Sequence, residues 1–302
     1  MGSLVSKFVK KRLGDYRQQI NKIDDSLPER LHITKKVGII GGGLAGVSAA
    51  IYLAERNFDV TIFEKDSFLG GKVGSWTANF EDGYKTNVEH GFHAFFRQYY
   101  NLRNVLKKID AYKYLIPIDD YLIMTKELGD YSFKNIKTTP VENILSMRKA
   151  GIYSFKDIIK NPRFNRLTSL LNYDKEKTYE KFDQVSFKEF ADEMNLPPQM
   201  RLMFTTFSRA FFAEPQLISM AELIKSFHFY FLSNDHGLIY DVLNDDFKKT
   251  LWQPALNFLE RYETKIIKNK IIISTEIIYN IIESPIILDL LLMITHNSNK
   301  RV

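Results

Sequence analysis

The 302-residue chain contains no cysteine. That excludes disulfides, a thiolate nucleophile and a thiolate-held iron–sulfur cluster, and it is compatible with a reducing compartment. Long apolar runs are missing too. None approaches the about 18 residues of a membrane-spanning helix, and no apolar core is long enough for a signal peptide. No nucleic-acid-binding motif is present, so the net charge of +6 is read as suiting an anionic membrane surface or an anionic cofactor rather than nucleic acid. Aromatic residues, by contrast, are plentiful: 23 Phe and 16 Tyr suit a large apolar substrate, although packing alone accounts for them equally. At this length the chain buries a large core and is expected to form two structural units.

The stretch from Lys36 to Lys72 organises the rest. Val37 to Ile40 is a short apolar run, the pattern of a strand buried on both faces. It runs into Gly41-Gly42-Gly43-Leu44-Ala45-Gly46, which fits G-x-G-x-x-G, and a helical pattern follows from Leu44 to Arg56. Asp59 to Phe63 reads as a second strand with Glu64 at its end, about 20 residues beyond the glycines. Each part has a task in holding a dinucleotide. Gly41 permits the tight turn, Gly43 lets backbone approach a pyrophosphate, and Gly46 lets the helix pack on the sheet. Leu44 and Ala45 open the helix, whose unpaired N–H groups face the phosphates. Glu64 accepts hydrogen bonds from ribose hydroxyls and repels a 2′-phosphate, which disfavours NADP. A glycine-rich turn in an ordinary α/β sheet would leave Glu64 unexplained.

Beyond Glu64-Lys65 comes a second glycine pair, Gly70-Gly71-Lys72, followed by Gly74-Ser75-Trp76. The pair gives another close backbone approach, and Lys72 adds positive charge near the phosphates. Here the chain resembles the FAD-dependent amine-oxidase and phytoene-desaturase superfamily, in which an acid ends the second strand and G-G-R or G-G-K follows. Asp82-Gly83-Tyr84 and the string Glu89-His90-Gly91-Phe92-His93-Ala94-Phe95-Phe96-Arg97 extend the likeness toward carotene desaturases of the isorenieratene-synthase type. The resemblance covers Lys36 to Glu260 and implies FAD as cofactor. Its holders would be Gly41, Gly43, Leu44, Ala45, Gly46, Glu64, Lys65, Gly70, Gly71 and Lys72. It implies a cofactor-side loop at Glu89-His90-Gly91, where His90 either tunes the flavin ring or is an ordinary hydrogen-bonded histidine. Glu89, His90 and His93 are not read as metal ligands, because Gly91 interrupts the helix their spacing would need. No side chain announces itself as a catalytic base.

The expected fold class is therefore α/β: a Rossmann-like FAD-binding domain with an inserted, mainly helical substrate domain. Residues 1–35 are a basic amphipathic segment, read either as an interfacial helix or as a leader helix docked on the protein's own core. Residues 36–100 form the βαβ unit and flavin-side loop, and residues 101–262 form the helical domain. Residues 263–302 return to the flavin domain through strands at Ile271–Ile273 and Glu276–Tyr279. A short hairpin is expected around Gly129-Asp130, and Ser186 with Glu189 forms a capping box. The phenylalanines between Phe204 and Phe231 are either a packed core or, as a group, a tunnel for a polyene. The family's second flavin-contacting motif has no match after Pro285, so the C-terminal part of the family fold is expected to be missing. The resemblance implies desaturation of a carotenoid or related apolar isoprenoid by hydride transfer to flavin, in the cytoplasm and peripheral to a membrane. A flavin amine or small-molecule oxidase and a non-catalytic dinucleotide-binding remnant remain the alternatives.

Overall fold

A computed structural model of the protein describes residues 26–118, 120, 122–124, 130–132, 134, 140–154, 156, 160–161, 163, 168–171, 173–232, 239–272 and 292–293. The chain divides into two compact units, one of residues 22–117 and 241–302, the other of residues 1–21 and 118–240.

The first unit is the nucleotide-type unit. Strand β1 (Lys35–Ile40) leads into helix α1 (Leu44–Glu55) and then strand β2 (Phe58–Phe63). The antiparallel strands β3 (Ser75–Asn79) and β4 (Lys85–Glu89) follow, then β5 (Phe95–Phe96), helix α2 (Tyr100–Lys108) and β6 (Leu115–Ile118). The chain re-enters the unit at β7 (Tyr240–Leu243), continues through helix α3 (Gln253–Glu260) and β8 (Lys265–Ile267), and reaches β9 (Leu292–Met293). The main sheet has the order β8-β2-β1-β9, all parallel, with Ile39 opposite Ile62 and Ile266 opposite Ile62 on the other side. Parallel strands need cover on both faces, and this is why β1 and β2 are nearly continuous in Val, Ile and Phe. Ile39, Ala50, Ile51, Ile62, Leu106 and Leu259 are all fully buried in one cluster with Trp252. Each fully buried Ile or Leu contributes about 1.5–3 kcal/mol.

That cluster moves a boundary. The expected division at residue 100 and at residue 262 is replaced by one at 118 and 240. Val105 and Leu106 of α2, and Ala255, Phe258 and Leu259 of α3, share the core of Ile39 and Ile51. A second difference lies at the end of the unit. The strand beside β2 is Lys265–Ile267 rather than Ile271–Ile273. Asn269 takes φ +55°, its N–H donates to Asp66 O at 3.2 Å, and Lys270 N donates to Glu64 O at 2.9 Å, so the chain has left the ladder before Ile271. Ile273 and Glu276–Tyr279 lie outside the described residues, as does most of the N-terminal segment. A third difference is the β3–β4 hairpin, which the glycine-punctuated sequence did not announce. It closes through Gly83 at φ +80° and the Asp82 carboxylate, which accepts from Tyr84 N at 3.0 Å.

The second unit is mainly helical, with helices at Pro140–Lys149, Lys175–Phe182, Phe187–Glu193, Pro198–Ala210 and Met220–Phe227, and an antiparallel pair of Leu122–Ile123 with Tyr131–Ser132. The capping box is formed: Glu189 N donates to Ser186 Oγ at 3.2 Å, and Ser186 N donates to Glu189 Oε2 at 2.8 Å. The phenylalanines pack on one another, with Phe204 5.3 Å from Phe227 and Phe227 stacked on Phe231 at 5.1 Å. The core reading thus holds for these three, while Phe212 is fully exposed. Among the described residues no helix is long and apolar enough to cross a membrane.

His228 sets a pH response in this unit. Its ring is buried, with Nε2 2.8 Å from Leu170 O. Burial pushes its pKa below the ordinary value, and the hydrogen bond to Leu170 offsets part of that. The unfolded chain binds the proton more readily than the folded one, so stability should fall as pH drops below about 6.5. A His228→Gln variant should flatten that dependence in thermal unfolding followed across a pH series. An unchanged slope would remove His228 as its source.

Candidate functional site

Three glycines do three different things at the end of β1. Gly41 lies at φ +99° and its N–H donates to Phe63 O at 2.8 Å, which joins the turn to β2. Gly46 is demanded by packing, since a Cβ there would sit 2.0 Å from Gly41 O. Gly43 is different. It is the residue before α1, at φ −73°, and a Cβ on it would meet nothing closer than Gly70 O at 4.0 Å. The protein's own packing leaves that direction open. Helix α1 also begins with no side-chain cap and no acid in its first turn, so the N–H groups at its positive end are left for a ligand.

The second glycine pair closes the other side. Gly70 N donates to Gly42 O at 2.8 Å, and Gly70 and Gly71 take φ values of +129° and +53°. Glu64 stands between the two glycine segments, only 4% exposed. Its Oε2 accepts from Gly42 N at 2.6 Å and its Oε1 from Asp66 N at 2.9 Å. A carboxylate offers roughly four acceptor positions, so two are used in fixing the side chain and two remain. The N–H of Gly42 and the carboxylate thus hold each other in place, a link that sequence spacing did not reveal.

These groups line a cavity of about 870 Å³. Small-molecule sites run from roughly 300 to 1,000 Å³, so the space suits a large ligand. Gly41, Gly43, Leu44, Ala45, Gly46, Glu64, Lys65, Gly70, Gly71, Lys72 and His90 all line it. So does an aromatic wall: Phe68 stacks on Trp76 at 5.5 Å, and Trp76 meets the His90 ring at 4.9 Å. Phe68 and Trp76 were not singled out from sequence. The signal was there in Trp76, a large ring in an alternating strand just after the second glycine pair.

The Glu89-His90-Gly91 loop is split by the structure. His90 faces the large cavity, whereas Glu89 and Gly91 line a separate one of about 340 Å³ together with His93 and Phe247. The physical reason is a hydrogen bond between distant parts of the chain, in which Phe247 N donates to Glu89 Oε1 at 2.7 Å. The His93 ring packs on Phe247 at 5.5 Å. Among the described residues no group of three or more His, Asp or Glu is placed to hold a metal ion.

Residues 39–109, the segment that builds this cavity, match the family model of an NAD(P)-binding Rossmann-like domain. Over 234 residues the chain is 36% identical to a carotenoid phi-ring synthase of Streptomyces griseus, covering 76% of this chain and 45% of that protein. It is 32% identical over 253 residues to a carotenoid phi-ring synthase of Chlorobaculum tepidum, covering 82% and 39%. The chain is thus similar to carotenoid-modifying enzymes over most of its own length. A zeta-carotene desaturase of Synechocystis is 26% identical over 253 residues, covering 78% of this chain and 51% of that one. The chain therefore spans about half the length, or less, of these relatives. Its dinucleotide-binding unit is the part where motif, fold and similarity coincide.

Proposed function

We propose that the cavity at the end of β1 holds FAD and that the chain acts in oxidation of a carotenoid or related apolar isoprenoid. The observation that carries the reading is Gly43, a glycine that the protein's own packing does not require, beside an uncapped helix start and a Glu64 carboxylate with acceptor capacity to spare. Backbone N–H groups at Leu44 and Ala45 would bind the pyrophosphate. Glu64 would accept from the ribose hydroxyls, and Lys72 would add charge opposite the phosphates. Phe68, Trp76 and His90 would line the route toward the flavin ring and exclude water from it. Glu89 and Gly91 would support that loop from behind. Bound there, the flavin supplies a hydride acceptor, which permits a carbon–carbon double bond to form as a proton also leaves. The carotenoid substrate class is supported by the phi-ring synthases and the zeta-carotene desaturase among the relatives. The fully exposed Phe212 and the 80% exposed Leu217 support contact with a lipid surface, where such substrates dissolve.

The test is FAD binding by the purified protein, followed by flavin absorbance and fluorescence. Glu64→Gln leaves one acceptor oxygen for the N–H groups of Gly42 and Asp66 and for the ribose. Binding should weaken about ten-fold or more. A folded protein indifferent to FAD would overturn the reading. Expression in a host accumulating lycopene or β-carotene tests the substrate class, since an unchanged pigment spectrum would speak for a small-molecule oxidase or a non-catalytic binding unit.

A further inference from the structure

The second glycine pair is held by a residue far away in sequence. Gly71–Val73 forms one turn of 3-10 helix with no buried residue of its own. Three of the five residues from Gly70 to Gly74 are glycine, so the segment has few side chains to fix it and much backbone freedom to lose. Backbone bonds supply part of the restraint: Val73 N donates to Gly70 O and Gly74 N to Gly71 O, each at 3.0 Å. The last carbonyls of so short a helix have no partner within it. One of them, Val73 O, accepts from Trp252 Nε1 at 2.8 Å, across a sequence separation of 179. The same indole reaches the start of the turn, since a Cβ on Gly70 would lie 2.9 Å from Trp252 Cε2. Trp252 thus meets the turn at both ends. Lys72 stands between those ends, exposed and lining the dinucleotide cavity. The indole is itself anchored: Trp252, the residue before α3, is 4% exposed and packs in the cluster of Ile39, Ile51 and Leu259.

From these observations we infer that Trp252 is a positioning residue for the dinucleotide. Its N–H and ring edge fix the second glycine turn, so that Lys72 is held toward the phosphates before they arrive. The inference rests on the FAD reading of the large cavity, and it gives Trp252 no contact with the cofactor. What Trp252 removes is the ordering cost that a loose glycine turn would add to binding. The core of β1, α1 and α3 thereby sets the place of a phosphate-facing charge.

Trp252→Phe keeps a ring in the core and removes the N–H. FAD, titrated at a temperature where urea unfolding shows both proteins folded, should bind the variant about five-fold more weakly, the loss of one hydrogen bond. Lys72→Gln should also weaken binding. Adding Trp252→Phe to Lys72→Gln should change the dissociation constant by less than about two-fold, because the turn then has no charge left to position. Hydrogen exchange without ligand gives a readout that needs no FAD. Relative to the amides of Ile39 and Ile62, those of Val73 and Gly74 should exchange at least about five-fold faster in Trp252→Phe. A merely structural tryptophan would lower the urea midpoint and leave all three readouts where they were. Should Trp252→Phe not fold, 3-benzothienylalanine at position 252 makes the same test, with sulfur in place of N–H in a ring of the same shape. Unchanged FAD affinity in the folded variant, full additivity with Lys72→Gln, or unchanged relative exchange at Val73 and Gly74 would each overturn the inference. A parent that ignores FAD overturns it together with the dinucleotide reading, whereas a parent and variant that bind FAD equally overturn this inference alone.

Discussion

Replacing Gly46 by alanine is expected to destabilise the protein by about 3 kcal/mol, whereas the same change three residues earlier, at Gly43, should cost less than about 0.5 kcal/mol and still abolish cofactor binding. The contrast follows from what an added methyl meets. At Gly46 it would lie 2.0 Å from Gly41 O and 3.2 Å from Ile39 Cγ2. Neither neighbour can yield cheaply, because Gly41 is tied to Phe63 O and Ile39 is fully buried in the strand beside it. Relief would require α1 to move off the sheet, and Val47, Ala50 and Ile51 would lose their packing with it. At Gly43 the methyl meets no atom of the protein within 4 Å except Gly70 O at 4.0 Å, and the backbone there is ordinary extended chain. The methyl would instead occupy the space at the start of α1 where a pyrophosphate must come close. Urea unfolding read beside FAD titration separates the two effects. If Gly43→Ala bound FAD like the parent, the pyrophosphate could not lie at that helix start.

The part of the site that sequence made legible is the part built from consecutive residues. β1, the glycine turn, α1 and β2 lie within 29 residues, Lys35 to Phe63, and each signals its own form: apolar runs for doubly covered strands, glycines where φ or close approach excludes a Cβ, and an acid where the second strand ends. Glu64 was legible in type and position. Its bond to Gly42 N was not, because a spacing of 22 residues says nothing of which N–H a carboxylate will meet. The β3–β4 hairpin was obscured for another reason. Its strands are only partly buried and carry polar residues on both faces, so the alternation of Trp76 and Ala78 against Thr86 and Val88 is faint beside the glycines around it.

The isoleucine-rich stretch shows where composition fails. Lys265–Ile267 and the run beginning at Ile271 are equally good strand formers. What selects the first is register with β2, Ile266 beside Ile62 and Ile267 beside Phe63, together with the left-handed turn at Asn269. Likewise nothing local assigns α2 and α3 to the core of β1. Leu106 and Leu259 reach it from positions more than 150 residues apart, and only their burial in one cluster with Ile51 reveals the unit to which they belong. The aromatic side chains divide in the same way. Phe227 and Phe231 are core, while Phe212 stands in solvent at φ +57°, a difference set by the end of the Pro198–Ala210 helix rather than by residue type.

Where the chain re-enters the nucleotide-type unit, one ion pair should carry a large share of the stability. Asp241 on β7 is 4% exposed. Arg103 of α2 donates from Nη1 to Asp241 Oδ2 at 2.6 Å and from Nη2 to the Tyr112 hydroxyl at 2.9 Å, and its side chain is only 12% exposed. Arg97 stands further off, with Nη2 3.7 Å from the other carboxylate oxygen, and it is more open to solvent. The pair thus fixes β7 to α2 across a sequence separation of 138. Removing one member leaves the other charge buried, so Arg103→Met should cost about 3 kcal/mol, the range for breaking a buried pair. Arg97, half again as far away and better solvated, should recover only part of that. Removing both charges at once, as Arg103→Met with Asp241→Leu, should cost clearly less than the two single changes added together, because no uncompensated charge remains. Urea midpoints for the four proteins of this cycle measure the coupling. A single-variant cost near that of an exposed pair, below about 1 kcal/mol, would show that water reaches Asp241 and that apolar packing alone holds β7.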